Sequence, residues 1–468
     1  MGEHRELQQT AETAAETIER REPDAVYSKP HLPDRRHAIV IGASVAGLVA
    51  SRALSAHFRS VTLLDRDEEP AQAVPRAGVP QGRHIHVVLP GGVRALDRLF
   101  PGRLPELVRA GSQPFDYGQS QFHMCGQWMP RIATELYSLA QTRPFLEEHL
   151  RRWVRELPNV QAIFGASVTA PIYDGSRVTG VALQYAGSGR PEELRADLVI
   201  DATGRNTRLP RWLAGDGYPP VPETSIGIDL GYATGRFRAP GNLRPTHPML
   251  YIVGHPPRET RVGVRVLVED GVIFGGMGGY HGDHPPADLP GFLEFARSLC
   301  QPDVFDVLSR SELLSPIAVY RIPTATRRHY GRMAQFPSGI LPIGDAICSF
   351  DPAFGQGMTV AALEAEALMD CLQCHGRADE SFRRDYFRRA DAAIEVPWAV
   401  STGENFKYPQ TTGRRPLSFP LTRLYKDRLA TCGDAAVIHD FYRVVSLSAP
   451  PRILLRPRVV ARTLGLWR

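Results

Sequence analysis

Between residues 37 and 67 the chain reads HAIVIGASVAGLVASRALSAHFRSVTLLDRD. Three small residues, Gly42, Ser44 and Gly47, lie between an apolar run and a segment rich in Ala and Val, and Asp65 closes the stretch. This spacing can cradle the pyrophosphate of a dinucleotide. A first glycine makes the tight turn, a second small residue lets the backbone approach the phosphates, and a third lets the helix pack on the strand. The helix N-terminus then offers unpaired N–H groups and the positive end of its dipole to the anion. An acid about 20 residues further on holds a ribose diol. Ser44 stands where a glycine is usual. It is small enough for close approach, and its hydroxyl can donate to a phosphate oxygen.

Two later segments narrow the cofactor. ADLVIDATGRNTRLPRWL (196–213) is an apolar strand running into Asp201-Ala202-Thr203-Gly204, then a polar turn and a helix. GILPIGDAICSFDPAFGQGMTVAALEAEAL (339–368) is a strand, a Gly344-Asp345 pair, a loop stiffened by Pro352, and a Gly-Gln-Gly turn opening a helix. Asp345 at a strand end suits a ribityl hydroxyl or a phosphate-linked water. The FGQGM turn exposes backbone N–H groups to the negative charge of a reduced flavin ring. A nicotinamide dehydrogenase needs no such element so far downstream of its cradle.

Other residues with chemical potential are Arg83, His84 and His86 in GRHIH. In an extended segment the two histidines share a face; the competing readings are a surface strand and a metal pair lacking further ligands. FGGMGGY (274–280) either makes room for a long substrate or marks bulges. CLQCH (371–375) matches the pattern of c-type haem attachment. It ends a helical pattern that stops at Gly376, and no export segment precedes it, so it reads as a coincidence.

The elements that must position these residues follow from periodicity. Residues 37–67 read as strand, helix, strand. An irregular stretch follows, then one helix over VRALDRLFPGRLPELVRAG (93–111), short strands around 113–135 and a helix from Pro144. The expected organisation is a flexible arm (1–35), a Rossmann-like FAD-binding domain (36–221, with some substrate-domain strands near 113–135), a mainly antiparallel substrate sheet (222–315), a second part of the FAD domain (316–377) and a C-terminal helical region (378–468). The fold class is α/β with an α+β insertion.

Composition sets outer bounds. The chain has 468 residues, 43% of them hydrophobic, and a net charge of +5. That is no concentrated basic stripe, so nucleic acid is not an expected partner. No apolar run approaches the roughly 20 residues of a membrane span. Its basic residues are almost all Arg; Lys stands only at 29, 407 and 426. Six sparse, unevenly spaced cysteines read as reduced thiols in a cytoplasmic protein. The tail RILLRPRVVARTLGLWR mixes apolar and basic residues and reads as a helix capping the FAD domain, with peripheral contact to anionic membrane as the alternative. No metal site is expected.

Taken together, the three motifs resemble the FAD-dependent monooxygenase superfamily with the p-hydroxybenzoate hydroxylase-like fold, over roughly residues 36–375. GVPQGRHIHVVLPGGVRAL and DLVIDATGRNTRLPRWL resemble the branch of bacterial polyether epoxidases, related more distantly to squalene monooxygenase. The resemblance implies FAD bound along Gly42, Ser44, Val45, Ala46, Gly47, Asp65, Arg66, Arg143, Asp201 and Asp345, with Pro352, Gly355, Gln356, Gly357 and Met358 bordering the isoalloxazine. Arg83, His84 and Phe354 are the candidates for catalytic residues lining the flavin and substrate cavity. It also implies insertion of one oxygen atom from O2 through a flavin hydroperoxide. The expected reaction is epoxidation of an alkene in a lipophilic polyketide or isoprenoid-like molecule. The alternatives are hydroxylation of an aromatic polyketide, reduction of isoprenoid double bonds, and a non-enzymatic flavin or lipid carrier. Electrons would come from NAD(P)H directly or through a flavin reductase, since no second glycine cradle is present. The halogenase lysine is missing from residues 68–90, and halogenation is not expected.

Overall fold

Five parallel strands form the sheet that carries the cradle, in the order Ile340–Pro342, Leu198–Asp201, His37–Ile41, Ser60–Leu64, Val160–Ile163. The structure is a computed structural model that describes residues 13–18, 35–187, 190–241 and 247–466. The expected N-terminal arm therefore lies outside the described residues, apart from residue 35 and a short helical stretch at 13–18 whose Ile18 packs into the main core. The central strands are apolar on both faces and buried, as a sheet covered by helices requires. The cradle helix Val45–Ser55, the helix Arg143–Arg155 and the long helix Gly357–Cys374 complete this core.

Local chemistry explains one departure from the expected elements. The single helix over 93–111 is two, Pro90–Leu99 and Leu104–Arg109. Phe100 precedes a proline and takes φ −126°, since the ring of Pro101 disfavours helical geometry before it. Gly102 then turns the chain with φ +72°.

The second large sheet is antiparallel except at one pair. Its order is Cys348–Ser349, Ala318–Arg328, Glu223–Arg238, Ile273–Tyr280, Arg261–Leu267, Met249–Val253, Gln121–Met124, Gln127–Trp128, and only Met249–Val253 with Gln121–Met124 runs parallel. The sheet extends past the expected boundary at 315, because Ala318–Arg328 pairs along Glu223–Arg238. Its outer face is covered by the helices Leu289–Arg297 and Asp303–Leu308 around Phe237, Phe292 and Leu308. Its inner face looks back at the parallel sheet. The glycine strand carries no bulge: its register runs unbroken from Ile273 to Tyr280 against Glu223–Arg238 and from Ile273 to Gly279 against Arg261–Leu267. The helices Glu380–Asn405, Phe419–Thr431, Ala435–Val445 and Pro457–Thr463 follow, the last three closing over Phe122 and Met129.

Cys371 lies fully buried within the helix Gly357–Cys374 while Cys374 is exposed. The CLQCH pattern is thus a helix end with one thiol in the core, unsuited to attaching a haem.

At Gly47 a Cβ would stand 1.7 Å from the carbonyl oxygen of Gly42. Since the obstacle is main chain, Gly47→Ala has to lift the cradle helix off its strand. We expect it to cost about 3 kcal/mol and to lower Tm in thermal unfolding; an unchanged Tm would show that the helix shifts freely.

Candidate active site

A cavity of about 670 Å³ separates the C-terminal edge of the parallel sheet from the inner face of the second sheet. That volume is within the range of small-molecule and cofactor pockets, ~300–1,000 Å³. Gly42, Ser44, Val45, Ala46, Asp65, Arg66 and Arg143 line one end, and Asp345, Pro352 and Phe354–Met358 its middle. Three predicted residues stand outside this lining. Gly47 packs beneath the cradle. Asp201 is buried and turned into its own loop, accepting from Thr203 N at 3.0 Å, Thr203 Oγ1 at 2.6 Å and the Thr207 hydroxyl. Arg83 ends the 3-10 turn Pro80–Arg83 and points into solvent.

The cradle is held by charge. Gly42 takes φ +104°, and a Cβ there would lie 2.6 Å from the carbonyl oxygen of Ala202. Ala43 N donates to Asp65 Oδ2 at 2.6 Å, so the acid fixes the turn from the neighbouring strand. Ser44 does not keep its hydroxyl for a phosphate: it donates to Glu147 Oε1 at 2.6 Å and accepts from Arg143 Nη2 at 2.7 Å. The bond to an ionised carboxylate is charge-assisted. Glu147 also binds Arg143 Nε at 2.9 Å and lies 3.5 Å from Arg76, which in turn pairs with Asp65 at 3.2 Å. Burial alone would push the Glu147 carboxyl up, but the charges of Arg143 and Arg76 hold it below the ordinary carboxylate range. Glu147 and Arg76 escaped the sequence reading. The available signal was the i, i+4 spacing of Glu147 from Arg143.

At the middle of the cavity, Gly344 takes φ +67° and a Cβ on it would lie 2.9 Å from the Ala46 side chain. This approach brings Asp345 against the cradle. Burial pushes the Asp345 carboxyl up, against the pull of Arg143, Arg205 and Arg328. The cradle helix and the helix Gly357–Cys374 both begin without a side-chain cap and without an acid in the first turn. Their N–H groups are free for an anionic ligand. Gln356 is buried with its Oε1 unpaired at the start of the second helix.

The wall of the cavity laid down by the second sheet is apolar and aromatic. His84 is buried, its Nδ1 2.9 Å from Thr234 Oγ1 and its ring 4.4 Å from that of Tyr232, with Tyr320 beyond. Burial, then the charge of Arg83, lowers its pKa to about 4. His86 turns back to the carbonyl of His84 at 3.0 Å and lies 3.4 Å from Arg143; burial, then Arg143, lowers it to about 3. Both histidines are neutral at pH 7. Tyr280, the last residue of the glycine strand, donates to Asp351 Oδ2 at 2.9 Å, and Asp351 Oδ1 accepts from Ala353 N at 2.9 Å. Asp351, which the sequence reading passed over, thereby caps the turn that carries Pro352 and Phe354.

Two uncapped helix ends, a glycine turn closed to any side chain and an unpaired Gln356 oxygen, all facing one cavity of cofactor size, fit FAD. The chain carries an FAD-binding domain within the p-hydroxybenzoate hydroxylase-like fold, and FAD is its cofactor. Residues 35–213 match the family named FAD binding domain. The chain is 33% identical to Protein Rv3254 of Mycobacterium tuberculosis (strain ATCC 25618 / H37Rv) over 453 residues, covering 92% of this chain and 94% of that one. Its fold is similar to that of the flavin-dependent brominase Bmp2 (TM-score 0.65, 14% identity, 88% of this chain and 93% of that one). It is also similar to p-nitrophenol 4-monooxygenase PnpA from Pseudomonas putida DLL-E4 (TM-score 0.61, 17% identity, 89% and 99%).

Removing the Glu147 charge leaves Arg143 without its buried partner. Glu147→Gln is expected to cost about 3–5 kcal/mol and to weaken FAD retention, read by flavin fluorescence on titration; full retention with an unchanged Tm would refute the role assigned to Glu147. Acid should also act through His84 and His86. Their folded pKa values lie below the ordinary 6.5, so the stability they contribute is complete above 6.5 and is lost as pH falls toward 4 and 3. The unfolding midpoint should fall across that window and fall less in His84→Asn; identical profiles would show that His84 titrates normally.

Proposed function

We propose that this flavoprotein inserts one oxygen atom from O2 into an alkene of a lipophilic polyketide or isoprenoid-like substrate. The observation that carries the reading is the absence, on the described apolar wall, of a group ready to take a phenol proton. Phenol hydroxylation needs a base matched to the operating pH. His84 is held near 4 and His86 near 3, and burial pushes Tyr232, Tyr251 and Tyr280 upward. An alkene needs no base. When bound, reduced FAD supplies the activated oxygen. The protein's part is to orient and to exclude water. Tyr232, Tyr320, Val262, Val264 and Ile322 form the wall against which an apolar chain would lie. Asp345 and Arg143 would hold the ribityl and phosphate parts, and the turn Pro352–Gly357 the ring edge. His84, neutral and wedged between Thr234 and Tyr232, would position substrate rather than exchange its proton.

Hydroxylation of an aromatic polyketide is the second reading, favoured by Asp351: burial raises its carboxyl above the usual range against the bonds from Ala353 and Tyr280. The two part at Asp351→Asn, which keeps the cap on the turn but abolishes the base. Epoxidation should survive within a few-fold. A loss of about 100-fold or more in kcat, with 18O from labelled O2 in a phenol, would establish the hydroxylase.

The electron donor is tested directly. NADPH added without oxygen should leave the flavin spectrum oxidised until a flavin reductase is supplied, in keeping with the single cradle. Bleaching by NADPH alone would show that the chain takes hydride itself. Turnover of substrate without O2 would sink the monooxygenase reading in favour of a reductase.

A further inference from the structure

The helix Phe419–Thr431 is a single layer between the cavity and solvent. On its inner side Arg423, Lys426, Asp427 and Ala430 line the cavity. Lys407 and Lys426, two of the three lysines in the chain, latch it to the end of the helix Glu380–Asn405: Lys426 pairs with Glu404 at 3.1 Å, and Lys407 with Asp427 at 2.8 Å and Glu404 at 2.9 Å. At helical spacing Leu421, Leu424 and Arg428 fall on the opposite side, and Leu417 stands in the turn just before the helix. Leu417 is 100% exposed, Leu421 71% and Leu424 61%.

This concentration is not the scatter of single apolar residues expected on any surface. Six of the nine large apolar side chains exposed among the described residues lie between 417 and 466; the other three of the six are Leu455, Leu464 and Leu466. The two groups adjoin, because Tyr425, beside the leucine stripe, donates its hydroxyl to the carbonyl of Leu454. The charge around them has one sign. Arg414, Arg415, Arg428, Arg452, Arg456 and Arg458 are exposed. The acids of this region are spent on internal pairs, Asp427 with Lys407, Asp434 with Arg462 and Asp440 with Arg443. No acidic residue follows Asp440.

We propose that this C-terminal cap docks on an anionic lipid bilayer, its leucines entering the headgroup boundary and its arginines meeting lipid phosphates, so that a lipophilic substrate enters the cavity past the helix Phe419–Thr431. The choice of substrate rests on the monooxygenase reading; the docking does not. Exposed leucines alone would suit a second copy of the chain equally well. The all-basic rim decides against that, since two such faces repel.

The test uses the FAD-loaded full chain and vesicles of phosphatidylcholine with or without phosphatidylglycerol. Co-sedimentation is expected with the anionic vesicles only, to weaken as salt is raised, and to weaken about tenfold or more in the variant L417S/L421S/L424S. None of these leucines lines the cavity, and unchanged FAD content and Tm would show the variant folded. No binding to anionic vesicles, or binding that the triple variant leaves intact, overturns the proposal. So does a wild-type dimer in sedimentation velocity that the variant dissolves. A protein that oxidises substrate but ignores vesicles loses the docking alone; one that binds vesicles and never consumes O2 loses the monooxygenase reading alone.

Discussion

Gly42, Gly47 and Gly344 occupy positions where a Cβ would strike, in turn, the carbonyl of Ala202, the carbonyl of Gly42 and the side chain of Ala46. These contacts tie together the ends of His37–Ile41, Leu198–Asp201 and Ile340–Pro342, which are adjacent in the sheet. Strand ends in an open parallel sheet are where a ligand crevice forms. Because the chains approach so closely there, two helices start within one cavity. Neither is capped by its own side chain. The positive end of each dipole is left for whatever binds. The rest of the molecule is arranged around that crevice: one helix layer supports it, and the second sheet closes it from the far side.

Such a crevice gathers positive charge before any ligand arrives, and the protein has to hold it. Arg76 and Arg143 approach the cradle from two elements, and Glu147 lies between them. A buried ion pair is a poor source of net stability. Its value here is positional: Ser44 and Arg143 hydrogen-bond to a carboxylate that stays ionised, Arg76 pairs with it, and Asp65 is tied in through Arg76. The wall laid down by the second sheet lacks this density of charge: Tyr232, Tyr320, Val262 and Val264 have little to offer an ion, so the cavity sets a polar end that would hold a cofactor against an apolar wall that would take a substrate.

The glycine turn of the cradle, the place of Asp65 after the second strand and the turn Gly355–Gly357 were legible because each depends on local backbone geometry, which spacing records; that Asp65 binds Ala43 N and Arg76 was not. The two-sheet architecture was legible from the change of period. What was not legible depends on residues far apart in sequence. Asp201 reads as a ligand from its place after a strand, yet Thr203 and Thr207 claim both its oxygens. Arg83 is one residue from His84 and points the other way, because a 3-10 turn ends between them. Glu147 and Asp351 are ordinary acids in sequence. Their meaning comes from Ser44, 103 residues away, and Tyr280, 71 residues away. Ala318–Arg328 falls within the range expected for the second part of the FAD domain, yet it pairs along Glu223–Arg238 in the other sheet, since pairing partners leave no mark on a single sequence.

The glycine strand and the GRHIH segment, two separate signals in sequence, form one device in the structure. Gly276 faces the cavity, and a Cβ there would lie 2.8 Å from the side chain of Ile85. Ile85 therefore sits in the notch that Gly276 leaves, and it is the residue between the two histidines. Anchored at Ile85, the segment lays His84 against Tyr232 and Thr234, while His86 returns to the carbonyl of His84. The strand ends in Tyr280, whose hydroxyl reaches Asp351 and the turn bearing Pro352. One strand thus fixes both the histidine on the apolar wall and the loop that would border the flavin. A glycine pattern that could have meant empty space instead sets the distance between the part of the site that would hold substrate and the part that would hold the cofactor.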